Sequence, residues 1–76
     1  MRYEYSDFFQ VHPDGSVTSE FPVRVYGFPT TMSPGTHFQP GSLFEGFDIA
    51  GLAGHDLKVT IHEEHGAEVV VISKFY

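Results

Sequence analysis

The pattern of apolar and polar residues predicts short β-strands along most of the chain. Over residues 2–12 apolar side chains recur at alternate positions, and Asp7 and Phe8 are the exceptions to this alternation. A period of two places successive side chains on opposite faces of a sheet, so residues 2–12 are predicted as a strand. The same criterion predicts shorter strands over residues 16–19 and 21–28.

The turn after the first strand has a clear local signal, the tetrapeptide His-Pro-Asp-Gly at residues 12–15. Pro13 presets φ, Asp14 tolerates the backbone angles of a turn, and Gly15 supplies a positive φ. These residues predict a turn and a returning strand. Further along, Pro22 cannot donate a backbone hydrogen bond to a sheet, which predicts an edge, a strand start or a bulge at its position.

The clearest predicted hairpin lies in the last twenty residues or so of the chain. Residues 57–62 alternate between apolar and polar, and residues 63–66 are predicted to turn with Gly66 at a positive φ. In the following strand, residues 69–72 are apolar on both faces, a pattern typical of a strand that is covered on both sides. In a chain this small we expect another subunit to provide the second cover.

The most distinctive feature is a repeated phrase within residues 33–46, in which Pro-Gly precedes first Phe38 and then Phe44. Pro and Gly suit the two central positions of a type II turn, because Pro fixes φ and Gly takes the positive φ. Two such turns predict equivalent places for the two Phe rings on successive extended pieces. The rings then form either an aromatic staple over the sheet or an aromatic-lined groove or subunit contact.

The surrounding residues 29–56 are rich in Gly and Pro and are predicted as a loop that covers one open edge of the sheet. No helix of ordinary length fits this composition. A single helical turn is conceivable over residues 42–47, with Ser42 as N-cap and Glu45 at the third position.

The length of 76 residues predicts one domain, residues 1–76, with a thin core. Ordering the chain costs about 1.5 kcal/mol per residue, and the lack of cysteine excludes disulfides and thiolate metal sites as compensation. Eight Phe and four Tyr remain to fill the core or to contact a partner. The fold class is predicted as all-β, a small barrel or rolled antiparallel sheet of about five or six short strands with little or no helix.

The charge balance argues against anionic partners. Four basic and ten acidic residues give a net charge of −6, and the basic residues are scattered along the sequence. Binding to a phosphate backbone needs clustered Lys and Arg, so neither nucleic acid nor an anionic membrane is expected as a partner. No apolar run approaches the roughly 20 residues of a membrane span, and the N-terminus lacks an apolar signal-peptide region. We expect a cytoplasmic protein.

The stretch His62-Glu63-Glu64-His65 is the first candidate for chemistry. The helical zinc motif places two His four residues apart with a Glu between them, whereas here the spacing is three and the residues fall in a predicted hairpin turn. A solvated charged turn is the favoured interpretation. Weak metal binding by His62 and His65 is the alternative.

The pair His55-Asp56 is the second candidate. Adjacent residues of an extended chain point to opposite faces, which argues against a catalytic pair, and no Ser lies in a nucleophile-elbow context. The sequence identifies no partner for His12 or His37. Since no phosphate loop, dinucleotide fingerprint or calcium loop occurs, we expect neither catalysis nor a cofactor.

Residues 42–74 resemble the swapped-hairpin AbrB class, which includes the toxin SymE. The shared pattern is an apolar stretch, a Gly, an alternating strand, an acidic Gly turn and a closing Val/Ile strand. The resemblance covers under half of the protein and implies an obligate dimer with interleaved hairpins. Regulators and antitoxins of this class carry basic residues for DNA, whereas this chain is acidic. In general character the chain is also similar to small proteins carried by phages and mobile gene cassettes.

The sequence therefore favours a non-catalytic binding or assembly module that self-associates as a homodimer. Another protein or a small apolar ligand is the alternative partner. A dimeric regulator of the AbrB type and a weak His-based metal binder are the alternative functions. The residues expected to make contact are the exposed-aromatic candidates Phe38, Phe44, Phe47, Phe75 and Tyr76.

Overall fold

The computed structural model describes residues 2–76 and contains mainly short strands. In chain order the strands are β1 (Arg2–Tyr3), β2 (Phe9–Val11), β3 (Val17–Ser19), β4 (Val23–Val25), β5 (Thr31–Met32), β6 (His37–Phe38), β7 (Leu43–Phe44), β8 (Phe47–Asp48), β9 (Leu57–Glu64) and β10 (Ala67–Phe75). Two 3₁₀ turns, Tyr5–Asp7 and Ala50–Leu52, complete the regular structure. The predicted all-β class is confirmed.

Within residues 2–76 the strands form three sheets and no closed barrel. The largest sheet has the order β1-β9-β10-β4-β5, the second has the order β2-β3-β6, and β7 pairs with β8. The predicted barrel is wrong because β1 and β5, the two outer strands of the large sheet, are only two residues long and do not pair with each other. The sheet is also not purely antiparallel, since β10 pairs with β4 in parallel.

The predicted strand over residues 2–12 is interrupted by the 3₁₀ turn Tyr5–Asp7. The Asp7 carboxylate accepts a hydrogen bond from the Glu4 backbone N–H at 3.0 Å, which stabilises the turn. The Tyr5 hydroxyl donates to the Ile49 carbonyl oxygen at 2.7 Å, and burial, reinforced by the charge of Asp48, raises the pKa of this hydroxyl above its usual range. The two residues that broke the alternation, Asp7 and Phe8, mark the interruption.

The turn predicted from His-Pro-Asp-Gly is confirmed. The Gly15 N–H donates to the His12 carbonyl oxygen at 3.0 Å, and Gly15 has a φ of 87°. The Asp14 carboxylate accepts from both the N–H and the hydroxyl of Ser16. Pro22 lies directly before β4, so of its three predicted settings the strand start is the one observed. Its carbonyl oxygen accepts a hydrogen bond from the Val70 N–H.

Both Pro-Gly turns of the repeat are confirmed. The Thr36 N–H donates to the Ser33 carbonyl oxygen at 3.2 Å, and the Ser42 N–H donates to the Gln39 carbonyl oxygen at 3.0 Å. The glycine of each turn has a positive φ, 84° and 86°, as type II geometry demands. Phe38 and Phe44 follow in β6 and β7, and their rings meet edge to face at 6.0 Å.

The helical turn considered for residues 42–47 is wrong, because this segment is the β7–β8 hairpin. Its two loop residues, Glu45 and Gly46, both have a positive φ, which is the signature of a type I′ turn. The Gly/Pro-rich segment 29–56 is therefore more ordered than a loop and contains four two-residue strands and the 3₁₀ turn Ala50–Leu52.

The C-terminal hairpin is confirmed, although β9 extends to Glu64 and the turn is reduced to His65 and Gly66. All four residues 69–72 are buried within the single chain. Val70 and Ile72 face the core, whereas Val69 and Val71 lie on the outer face.

An ion pair crosses this outer face. Arg24 on β4 is paired with Val71, and Glu64 on β9 is paired with Ala67. A contact between these two side chains therefore passes over β10 near Val69. The guanidinium meets the Glu64 carboxylate through two hydrogen bonds. Both faces of β10 are thus covered within one chain, and this strand no longer argues for a second subunit.

The core joins the large sheet to the β2-β3-β6 sheet. Its fully buried members are apolar, apart from two small hydroxyl side chains: Phe9, Ile49, Leu57, Ile72, Val17, Val23, Val70, Ser16 and Ser19. Ser19 is satisfied by the Ser33 carbonyl oxygen at 2.8 Å, which ties the first Pro-Gly turn to β3. The core therefore fixes the position of the aromatic repeat.

The left-handed residue Glu45 gives a test of the hairpin geometry. Asn tolerates a positive φ better than Glu, so we expect Glu45→Asn to raise the free energy of unfolding by about 0.5–1 kcal/mol in denaturant titrations. Glu20→Asn, which removes the same charge at an exposed site without a positive φ, is the control. Equal effects of the two changes would contradict the assignment.

Candidate functional site

An aromatic groove runs beside the C-terminal part of β10. Its volume is about 330 Å³. The side chains that shape it are Tyr26, Phe28, Phe47, Leu52, Lys74 and Phe75. Two of the five predicted contact residues, Phe47 and Phe75, are therefore brought together here, with their ring centroids 5.6 Å apart.

Phe28 is a wall of the groove that the sequence analysis did not predict. A turn after β4 positions it, since the Phe28 N–H donates to the Val25 carbonyl oxygen at 3.0 Å and Gly27 has a φ of 89°. Its ring meets that of Phe47 edge to face at 5.8 Å. Gly27, which lies inside the predicted strand 21–28, was the available signal that the strand ends early and the chain turns here.

The floor of the groove includes an open strand edge. The last hydrogen bond on the β4 side of β10 runs from the Tyr26 N–H to the Ile72 carbonyl oxygen at 2.8 Å. Beyond it, the register shifts at Ser73, and Lys74 and Phe75 pair only with β9 among the residues that the structure describes. Backbone groups of β10 therefore face the groove beside its aromatic walls.

The other three predicted contact residues lie elsewhere. Phe38 belongs to the core and is only 7% exposed, and Phe44 is half-buried against it. Tyr76 is 39% exposed, and its N–H donates to the Asp56 carbonyl oxygen at 2.8 Å. The Arg2 guanidinium lies 4.3 Å from the Tyr76 ring centroid, a cation–π distance.

Three of the four basic residues, scattered in sequence, form a row on the outer face of the sheet. Arg2 lies opposite Lys58, and Lys58 lies opposite Lys74, across β1, β9 and β10. Arg2 also pairs with the Asp56 carboxylate at 2.8 Å. The opposite end of the β9–β10 hairpin is acidic and carries Glu63, Glu64 and Glu68. The hairpin is therefore polarised along its length.

A histidine cluster that the sequence did not reveal lies on the second sheet. Thr18 lies opposite His37, and its hydroxyl oxygen is 3.2 Å from His37 Nδ1 and 2.7 Å from His12 Nε2. The hydroxyl can donate to one ring and accept from the other, which links β6 to the β2–β3 hairpin. The carboxylate of Asp14 accepts from Ser16 instead, so no Asp-His-Thr relay is assembled by these residues.

Neither of the two histidine-containing candidates from the sequence, residues 62–65 and the pair His55-Asp56, is assembled into a site among residues 2–76. His62 and His65 are exposed, at the end of β9 and in the turn, and within residues 2–76 no three His, Asp or Glu side chains converge on a possible metal position. His55 Nδ1 contacts the Tyr76 main-chain oxygen at 2.5 Å, whereas Asp56 pairs with Arg2. The adjacent residues His55 and Asp56 thus serve different partners.

Comparison with protein-family models, with curated proteins and with solved structures finds no match. The 3₁₀ turns are the longest helical segments among residues 2–76, and none is long and apolar enough to cross a membrane.

The Arg24–Glu64 pair predicts a loss of stability in acid. Hydrogen bonds from Arg24 lower the pKa of Glu64 below its ordinary value of 4.5, so its stabilising contribution is complete above that value and is lost as the pH falls through the lowered pKa. We expect Glu64→Gln to show a smaller fall in melting temperature than the unaltered protein between about pH 6 and about pH 3.

Glu63→Gln, one residue away on the opposite face of β9, is the matched control for this acid titration. It removes the same charge without touching Arg24. If the two variants lose melting temperature in parallel, the ion pair does not carry the acid sensitivity.

Proposed function

We propose that this chain is a non-catalytic binding and assembly module that holds an extended segment of another protein in the aromatic groove. The observation that carries this proposal is the coincidence of two features, the aromatic walls and the open edge of β10 over residues 73–75. Either feature alone is common on protein surfaces. Together they fit the known mode of recognition in which a peptide adds a strand to a sheet.

The energetics suit this mode. Backbone hydrogen bonds to residues 73–75 would align the segment, and one apolar side chain would enter between Phe28, Phe47 and Phe75. Burying a side chain of the size of Leu or Phe contributes about 1.5–3 kcal/mol. A groove of about 330 Å³ lies near the lower end of the range of ligand pockets and has room for one such side chain. Binding would therefore be selective for an extended backbone with a single apolar anchor.

The alternative functions gain less support. An AbrB-type regulator needs several contacts to phosphates, whereas the basic row offers three side chains, of which Arg2 is engaged with Asp56, on a chain of net charge −6. A metal-dependent activity would need further ligands beside His62 and His65. A small apolar ligand remains the alternative occupant of the groove and is distinguished by the experiment below.

Selection from a random peptide library against the immobilised protein, followed by amide NMR titration with the selected peptides, tests the proposal. We expect peptides with an apolar anchor in an extended run, and amide shifts concentrated at residues 73–75 and around Phe28. Phe28→Ser should weaken binding at least about tenfold, because it removes one wall of the groove.

Leu43→Ser is the matched control, since Leu43 is an exposed apolar residue on β7 that is not part of the groove. If peptides are selected that bind Phe28→Ser and Leu43→Ser equally well, the groove is not the binding site. If only small apolar molecules shift these amides, the partner is a small ligand rather than a protein segment.

A further inference from the structure

Among the residues that the structure describes, the outer edge of β9 is open over most of its length. β1 covers this edge only at Leu57 and Lys58, whereas β10 pairs with β9 along the whole of the other edge. Among residues 2–76, no strand pairs with residues 59–64 on the outer side. Ile61 on this stretch is 41% exposed although the flanking Val59 is buried. An open edge of this length is a template for another strand.

The charges along the hairpin indicate which strand fits. One end of β9 carries Lys58, which is flanked by Arg2 of β1 and Lys74 of β10, and the other end carries Glu63 and Glu64. Consider a strand that is basic at its start and acidic at its end, as β9 is. When it runs antiparallel to β9, its acidic end lies beside the basic end of β9. A second copy of β9 has this property by construction. Antiparallel pairing of two copies therefore joins opposite charges at both ends.

We propose that two copies of this chain dimerise by antiparallel pairing of β9 with β9, with His62 at the two-fold axis. This inference deepens the assembly part of the proposed function and rests on it, but it does not involve the aromatic groove. The two large sheets would join into one continuous sheet. The open edge of residues 59–64 would then disappear in both copies.

The register follows from two constraints. In a continuous sheet, two residues that lie directly opposite each other have their side chains on the same face. The two-fold axis must therefore pass through a residue that pairs with the same residue of the second copy. Ile61 and His62 lie at the centre of the open stretch and are therefore the two choices for the residue at the axis. With Ile61 at the axis, Glu64 of the second copy would fall opposite Lys58, a place that Arg2 already occupies. With His62 at the axis, residues 60–64 pair without meeting β1.

This register also brings the charged ends within reach. Thr60 would face Glu64 of the second copy, and Lys58 would then be a diagonal neighbour of that carboxylate on the same face. Diagonal neighbours lie roughly 7–8 Å apart, a distance that long side chains span. Glu64 is held by Arg24 within its own chain, so the Lys58 ammonium would add a second cation to an oriented carboxylate.

Single cysteines test this arrangement directly, because the chain has none of its own. A disulfide requires Cα atoms within roughly 4.4–6.8 Å, which in this register only residue 62 satisfies on the open edge. Under mild oxidation we expect His62→Cys to form a covalent dimer. Thr60→Cys should remain monomeric, because the two copies of residue 60 would lie about 13 Å apart along the strands.

Ile61→Cys distinguishes the registers. If it cross-links faster than His62→Cys, the register proposed here is wrong, and if neither cross-links, the edge-to-edge dimer is wrong. Sedimentation of the unaltered protein should show a monomer–dimer equilibrium that weakens with salt, and Lys58→Glu should raise the dissociation constant by about fivefold or more. A strict monomer at all concentrations would overturn the inference.

Phe28→Ser separates this inference from the proposed groove. It should leave the His62→Cys cross-link and the sedimentation behaviour unchanged, because Phe28 lies beyond β4 on the far side of the sheet from β9. If Phe28→Ser abolishes the dimer, self-association occurs through the groove and the β9 edge is not the interface. If no peptide binds while the dimer still forms, only the proposed function of the groove is overturned.

Discussion

The position of β10 in the middle of the large sheet is the constraint on which the rest of the structure depends. It pairs antiparallel with β9 and parallel with β4, so one strand joins the C-terminal hairpin to the N-terminal half of the chain. Its inner residues Val70 and Ile72 enter the core. Its outer valines are covered by the Arg24–Glu64 pair instead of by a second layer of structure. Where β4 ends and β10 continues, the groove begins.

Local turns place the remaining parts against this strand. The two Pro-Gly turns and the type I′ turn at Glu45 and Gly46 fold residues 33–48 into short strands. Phe38 enters the core, Phe44 packs on Phe38, and Phe47 reaches the groove. The two Phe residues of the repeated phrase thus pack over the sheet, as the staple interpretation expects, whereas the groove wall is Phe47, which follows the phrase. The different places of these Phe rings follow from the face of each short strand that is directed towards the core.

Features with a local cause could be predicted from the sequence, and features with a distant cause could not. The turns at Gly15, Gly35, Gly41 and Gly66 follow from residue types within four positions, and all are present. The parallel β4–β10 pairing, the basic row and the His12–Thr18–His37 cluster depend on strand order, which no local pattern encodes. Phe47 and Phe75 were predicted as contact residues from aromatic excess, yet their meeting with Phe28 required the turn at Gly27.

The parallel pairing of β4 with β10 has a consequence for how the chain reaches this structure. The β9–β10 hairpin closes through a two-residue turn, whereas the pairing of Val23 with Val70 must close a long loop, so we expect the hairpin to form first. During that interval the run of four apolar residues at 69–72 has one unpaired edge. Contiguous apolar residues of high β-propensity with a free edge are prone to aggregate. The segment most prone to aggregate during folding is thus part of β10, the strand that stabilises the folded protein.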